Sequence, residues 1–139
     1  MSKTLEERFW EKVERPDDPS DTCLLWTDAL SDSGYGTFCF GKSRVRAHRW
    51  SYEYHVGAIP DGLVIDHLCR VRHCVNPDHL EVVTMKENTL RGIGFSAVNA
   101  RKTRCIYGHP FDEENTYVYP GGAKRGCRIC RKRLREKNR

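Results

Sequence analysis

Seven cysteines in a chain of 139 residues, most of them grouped with histidines, constrain this fold more than any other feature. Ligands to one metal must meet in space whatever the chain does between them. Cys105-x3-His109 and Cys127-x2-Cys130 form two ligand pairs separated by a loop containing Gly108, Gly121 and Gly122. That is the layout of zinc ribbons and knuckles. A segment this short and this poor in apolar residues would hardly fold without such a staple. Cys69-x4-Cys74-x4-His79 forms another group, in which an Asn76-Pro77 turn can fold the chain back on the two thiols. Zinc takes four thiolate or imidazole ligands, so one more is required. Cys23, in DTCLLW, is expected to supply it. Cys39 is the runner-up, because the alternation in GYGTFCF also places it as a small core residue. Buried thiols without metal are the plainer alternative for this group.

The remaining composition limits the fold class. With 38% hydrophobic residues and a mean hydropathy of -0.70, the chain builds only a thin core, either as one modest domain or as two very small ones. No run of eighteen apolar residues occurs, and MSKTLEERFW has neither the apolar stretch nor the cleavage site of a signal peptide. The expected compartment is the cytoplasm, with no membrane partner. There, seven cysteines, an odd number, fit metal ligands or free thiols better than a disulfide framework. The net charge of +5 is a C-terminal property. Lys124 to Arg139 contains nine Lys or Arg against Glu136, a balance of +8, which leaves -3 for residues 1–123. Such a stretch is either a solvated helix end or a surface for nucleic-acid phosphates.

Residues 3–14 carry Leu5, Phe9, Trp10 and Val13 at helical spacing, and RPDDPSD stops that helix. GYGTFCF and SRVRA flank Gly41 and Lys42 as a hairpin, HRWSYEYHV reads as a helix closed by Gly57, IPDGLVIDHL as a turn feeding a strand, LEVVT as a strand, and MKENTLRG as a helix ended by Gly92. The expected organisation is an N-terminal helix and linker over 1–19, a zinc-stapled core over 20–92, a linker over 93–104, and a basic zinc-binding unit over 105–139.

With eight ligands assigned, His67, His73, His55, His48, Asp66 and Asn88 remain. The stretch AHRWSYEYHVGAIPDGLVIDHLCRVRHCVNPDHLEVVTMKEN, with Asp66-His67, then Asn76-Pro77-x-His79-Leu80, then Val83-Thr84-x-x-Glu87-Asn88, resembles the core of HNH endonucleases of the phage and homing type. Its His-x-Cys-x4-Cys-x4-His run is similar to that of the His-Cys box homing endonucleases, which share the ββα-metal fold. The likeness covers roughly residues 20–92. It implies an α+β fold, a small zinc-stabilised ββα-metal (His-Me finger) core with a C-terminal zinc-binding unit. It further implies that His67 is the general base and that Asp66 and Asn88 hold one divalent cation, Mg²⁺ or Mn²⁺. His79 stands where many family members carry a central Asn or His; its spacing to Cys69 and Cys74 favours zinc. Asp66 departs from the His-Cys box branch, where the cleavage metal rests chiefly on the late Asn.

The residue types suit the chemistry independently. Phosphodiester hydrolysis needs a nucleophile from water, which a histidine titrating near neutrality supplies, and oxygen-bound Mg²⁺ to steady the phosphate and the 3′ leaving oxygen. Because Asp66 and His67 are adjacent on a strand, their side chains point to opposite faces unless the strand twists or ends; a break is expected there. The bland readings are a structural histidine bonded to backbone and an exposed helix asparagine. Arg46, Arg49, Arg72, Lys124, Arg125, Arg128 and Arg131 are candidate contacts to double-stranded DNA, His73 a loop residue near it. Trp50, Tyr52 and Tyr54 are core or helix-face aromatics. The expected activity is metal-dependent DNA cleavage with two structural Zn²⁺. The alternative is a non-catalytic zinc-dependent DNA-binding protein. Target sequence, a homodimer, and nicking against double-strand cutting stay open.

Overall fold

Thr4 and Glu7 cap each other across the first turn of helix α1 (Leu5–Trp10): the Glu7 carboxylate accepts from the Thr4 N–H at 2.7 Å, and the Thr4 hydroxyl accepts from the Glu7 N–H at 3.1 Å. This capping box satisfies two backbone donors that a helix start leaves orphaned. The helix is shorter than the apolar spacing predicts. Val13 leaves it for a two-residue strand, β1 (Val13–Glu14), paired antiparallel with β2 (Leu25–Trp26). The computed structural model describes residues 1–18, 21–122 and 124–139. The expected boundary at residues 19 and 20 lies outside them. The chain divides into two units, Met1–Asn88 and Thr89–Arg139.

In the first unit, β3 (Thr37–Phe40) and β4 (Ser43–Arg46) form the hairpin around Gly41 and Lys42, with Phe40 opposite Ser43. Gly41 has a φ of 56°, a conformation this two-residue turn demands and glycine adopts cheaply. Helix α2 (Ala47–His55) follows at once. Phe9, Trp26, Phe38, Ala47 and Val75 make the buried core, with Leu5, Trp10, Val13 and Trp50 packed against it. Phe9 touches four aromatic rings, stacking on Trp50 at 4.2 Å and meeting Phe38 edge-on at 5.1 Å. A core of so few residues therefore rests on rings, which bury the most area per side chain.

Gly36 is where this core is tightest. A Cβ there would lie 2.7 Å from Cδ1 of Trp26 and 3.0 Å from Cβ of Ala47. Gly36→Ala is expected to cost about 1–3 kcal/mol as the Trp26 ring is forced aside, read as a lowered denaturant midpoint by tryptophan fluorescence. An unchanged midpoint would mean that the ring yields freely.

The second half of this unit is a ββα arrangement. Strand β5 (Leu63–His67) pairs antiparallel with β6 (Leu80–Thr84), from Leu63 opposite Thr84 to His67 opposite Leu80. β6 runs directly into helix α3 (Met85–Arg91). The strand does not break between Asp66 and His67. Both are in the ladder, and β5 ends only after His67, because the pairing of His67 with Leu80 continues in a bond from the Leu68 N–H to the His79 carbonyl at 2.8 Å.

In the second unit, residues 95–101 of the segment expected as linker form helix α4 (Phe95–Arg101), which buries Ala97. Strands β7 (Thr116–Val118) and β8 (Arg125–Cys127) pair antiparallel, and helix α5 (Arg128–Lys137) follows with Cys127 as its N-cap. Among the described residues, no helix is long and apolar enough to cross a membrane.

Candidate active site and metal centres

The loop between β5 and β6 is held at its middle by neighbouring segments. Its Val75 N–H donates to the Leu24 carbonyl at 2.7 Å, and its His73 carbonyl accepts from Trp26 at 2.9 Å. The buried Ser51 hydroxyl of α2 donates to the Val75 carbonyl at 2.6 Å. The isolated pairing of Leu25 with Cys74 thus lays the DTCLLW segment along the loop and delivers Cys23 to it. Ligand atoms of Cys23, Cys69, Cys74 and His79 all lie within 4.8 Å of one another. His79 Nδ1 is 3.5 Å from both Cys23 Sγ and Cys74 Sγ, while its Nε2 bonds to the Thr22 hydroxyl at 2.8 Å. With Nε2 so engaged, Nδ1 is the nitrogen turned toward the thiols. Cys39 is exposed on β3. Burial pushes the Cys74 thiol up, as it does Cys23. Protons must therefore leave when a metal takes these sulfurs.

Cys105, His109, Cys127 and Cys130 form a second tetrad of the same spread. His109 Nδ1 stands 3.4, 3.7 and 3.3 Å from the sulfurs of Cys105, Cys127 and Cys130. Burial works against ionisation of Cys127, but the Cys130 N–H and the Asn115 side chain outweigh it and bring the thiol down to about 7. Asn115, buried among these groups, has its side chain 3.3 Å from Cys127 Sγ, and its Oδ1 accepts from the Ile129 N–H at 3.1 Å. Sequence reading missed Asn115. The only signal was its place in a polar turn, where Asp112 Oδ1 accepts from its N–H at 2.7 Å.

His67 is 6% exposed. Its Nε2 lies 3.1 Å from the carbonyl oxygen of Cys74. A carbonyl only accepts, so Nε2 carries the hydrogen and Nδ1 holds the lone pair. Burial lowers its pKa, more than the Cys74 carbonyl and Asp66 raise it. The ring packs edge-on against His48, centroids 4.8 Å apart, and Tyr35 lies against both. Burial first, then His67, Arg49 and Arg46, push His48 down to about 3, and its Nδ1 is buried without a hydrogen-bond partner. This aromatic bed under His67 was not legible in the spacing; Tyr35 sits in GYG with nothing to mark it.

Asp66 is 3% exposed, and its Oδ1 accepts from Arg70 Nη1 at 2.6 Å. Asn88 is half-buried on α3. The Thr84-x-x-Glu87 that precedes it is a capping box: Glu87 Oε2 accepts from the Thr84 N–H at 2.9 Å, and the Thr84 hydroxyl accepts from the Glu87 N–H at 3.1 Å. Part of the Val-Thr-x-x-Glu-Asn motif therefore sets where α3 begins. Asp66, His67 and Asn88 all ride on the ββα arrangement, with oxygen donors suited to Mg²⁺ on Asp66 and Asn88.

The cationic candidates sort differently. Arg46 and Arg49 are exposed, as is Arg72, which donates to the Ser33 carbonyl at 2.9 Å. In the second unit Lys124 is exposed, and Arg128 is exposed while donating to the Thr116 carbonyl at 3.2 Å. Arg125 instead caps α4 through the carbonyls of Asn99, Ala100 and Lys102 and lies over Phe111 at 4.4 Å. Arg131 stacks on Tyr117 at 3.8 Å with Nη1 buried. These two hold the unit together, and Lys132, Arg133 and Arg135 present charge to solvent beside them.

The first unit thus carries a ββα arrangement with a histidine at the end of its first strand and, in the connecting loop, three of the four residues of a Cys/His cluster that Cys23 completes. Residues 45–90 match the family model described as HNH endonuclease. The chain is 36% identical over 79 residues to an uncharacterised gene 5.3 protein of Enterobacteria phage T3, covering 52% of this chain and 78% of that protein. It is 35% identical over 69 residues to protein 7.7 of Escherichia phage T7, covering 50% of this chain and 53% of that one. No solved structure matches. The chain belongs to the HNH endonuclease family.

Proposed function

We propose that this protein is a metal-dependent endonuclease that hydrolyses phosphodiester bonds in double-stranded DNA. The observation that carries the reading is the contact of His67 Nε2 with the Cys74 carbonyl at 3.1 Å, which in the neutral ring leaves the lone pair on Nδ1, while burial lowers the pKa and so favours that neutral form. His67 takes the proton of the attacking water at Nδ1. Asp66 and Asn88 hold one divalent cation, Mg²⁺ or Mn²⁺, which when bound supplies charge to the scissile phosphate and the 3′ leaving oxygen. The tetrads of Cys23, Cys69, Cys74 and His79, and of Cys105, His109, Cys127 and Cys130, each hold a structural Zn²⁺; four soft or borderline donors within 4.8 Å suit zinc. The exposed cations of both units contact the DNA backbone, and the host cytoplasm is the site of action.

The competing reading is a non-catalytic zinc-dependent DNA-binding protein. It is favoured by the same His67 bond, which is also what a structural histidine makes. Supercoiled plasmid incubated with the protein and Mg²⁺, Mn²⁺ or EDTA separates the two. Nicked or linear product that needs added cation is the expected result. Retarded but uncut plasmid under every condition would favour the binding protein.

A further inference from the structure

Arg70 is unusual in its backbone and in its partner. It is the one non-glycine among the described residues with a positive φ, 61°, and its N–H closes a turn onto the His67 carbonyl at 3.1 Å. Side chains other than Asn and Asp rarely adopt this conformation, so something holds it there. The holding contact is Asp66: Nη1 reaches a carboxylate that is 3% exposed, while the Arg70 side chain itself remains 52% exposed. One corner of the guanidinium is thus fixed inside and the rest faces out.

The outward part faces an open groove of about 550 Å³ formed by residues 32–34 and 70–73, with Asp32, Arg70, Arg72 and His73 among its lining. Its charge is mainly positive, two arginines against Asp32. Arg72 is itself set in place, bonded to the Ser33 carbonyl and lying over Tyr35 at 5.9 Å. A groove of this charge, opening on the turn that follows His67, fits a phosphodiester backbone. A guanidinium is suited to it because five N–H donors in a fixed fork allow one to anchor while others bind.

We propose that Arg70 is a substrate-binding arginine, anchored through Nη1 on Asp66 and presenting its remaining donors to a DNA phosphate in this groove. The inference rests on the nuclease reading of the same site. Asp66 is then shared between a guanidinium and the catalytic cation, and the strained backbone aims the fork at the groove.

The test is duplex affinity in buffer without added Mg²⁺ or Mn²⁺, so that cleavage is suppressed while the zinc sites stay loaded, measured by fluorescence anisotropy over a range of salt. Arg70→Gln keeps a donor for Asp66 and removes the charge. Arg70→Gly suits the φ of 61° and removes the side chain. Each is expected to weaken binding several-fold and to lower the slope of log affinity against log salt by about 0.9, the share of one phosphate. An arginine that only braces Asp66 would leave that slope unchanged. If either variant keeps its thermal transition and binds with the wild-type slope, the proposal is overturned. Should the wild type fail to cut plasmid, the nuclease reading falls, while the salt slope still decides whether Arg70 holds a phosphate.

Discussion

Replacing His67 by alanine is expected to reduce plasmid cleavage by about 10²–10⁴-fold, the range for loss of a general base. Zinc content should stay at the wild-type value. The substitution also leaves the Cys74 carbonyl without its donor, a loss of about 1–3 kcal/mol for a buried group. His67→Gln is therefore the companion variant, since its amide can still donate to that carbonyl but cannot act as a base. Both variants should be inactive, and the glutamine form should keep a thermal transition near that of the wild type. A glutamine variant that still cuts would remove His67 from the chemistry. The pH dependence has a definite sign. Burial lowers the His67 pKa from its ordinary value of 6.5, so the neutral, basic form persists into more acid solution. The acid limb of single-turnover cleavage should accordingly lie below pH 6.5, and a limb above it would contradict this environment.

Cys74→Ser should cost the first unit its fold. Structural zinc contributes about 10–16 kcal/mol in small peptide domains, against about 5–15 kcal/mol for the whole stability of a typical domain. Tryptophan fluorescence isolates the unit concerned, because Trp10, Trp26 and Trp50, the chain's three tryptophans, all lie in it. Loss of the cooperative fluorescence transition in Cys74→Ser, with one zinc fewer per chain by atomic emission, is the expected outcome. Cys127→Ser should likewise lose one zinc but keep that transition. A Cys74→Ser protein with an unaltered transition would show that the aromatic core around Phe9 folds the unit without metal.

The pieces of this protein that could be read from the sequence are those whose information is local. A two-residue glycine turn specifies the β3–β4 hairpin, and short runs bounded by turn residues specify β5 and β6. Ligand pairs three to five residues apart signal their function because neighbours in a loop cannot be far apart in space. The first helix was read too long because apolar spacing alone does not say that Val13 will pair with Trp26. The span 93–104 was read as a linker, and nothing in it announces how α4 buries Ala97.

The sequence by itself grouped Cys69, Cys74 and His79 in one cluster and Cys105, His109, Cys127 and Cys130 in another, as the structure does, and it left His67, His73, His55, His48, Asp66 and Asn88 without a place in either. Tertiary structure alone decided the pairings between distant segments. Cys23 rather than Cys39 completes the first tetrad, because Leu25 pairs with Cys74 while β3 leaves Cys39 exposed. Arg125 and Arg131 turn inward onto carbonyls and rings, which their positive charge did not foretell. His48 and Tyr35 come to lie against His67. Each of these contacts depends on where packing places one element against another, and a pattern read along the chain carries no such distance.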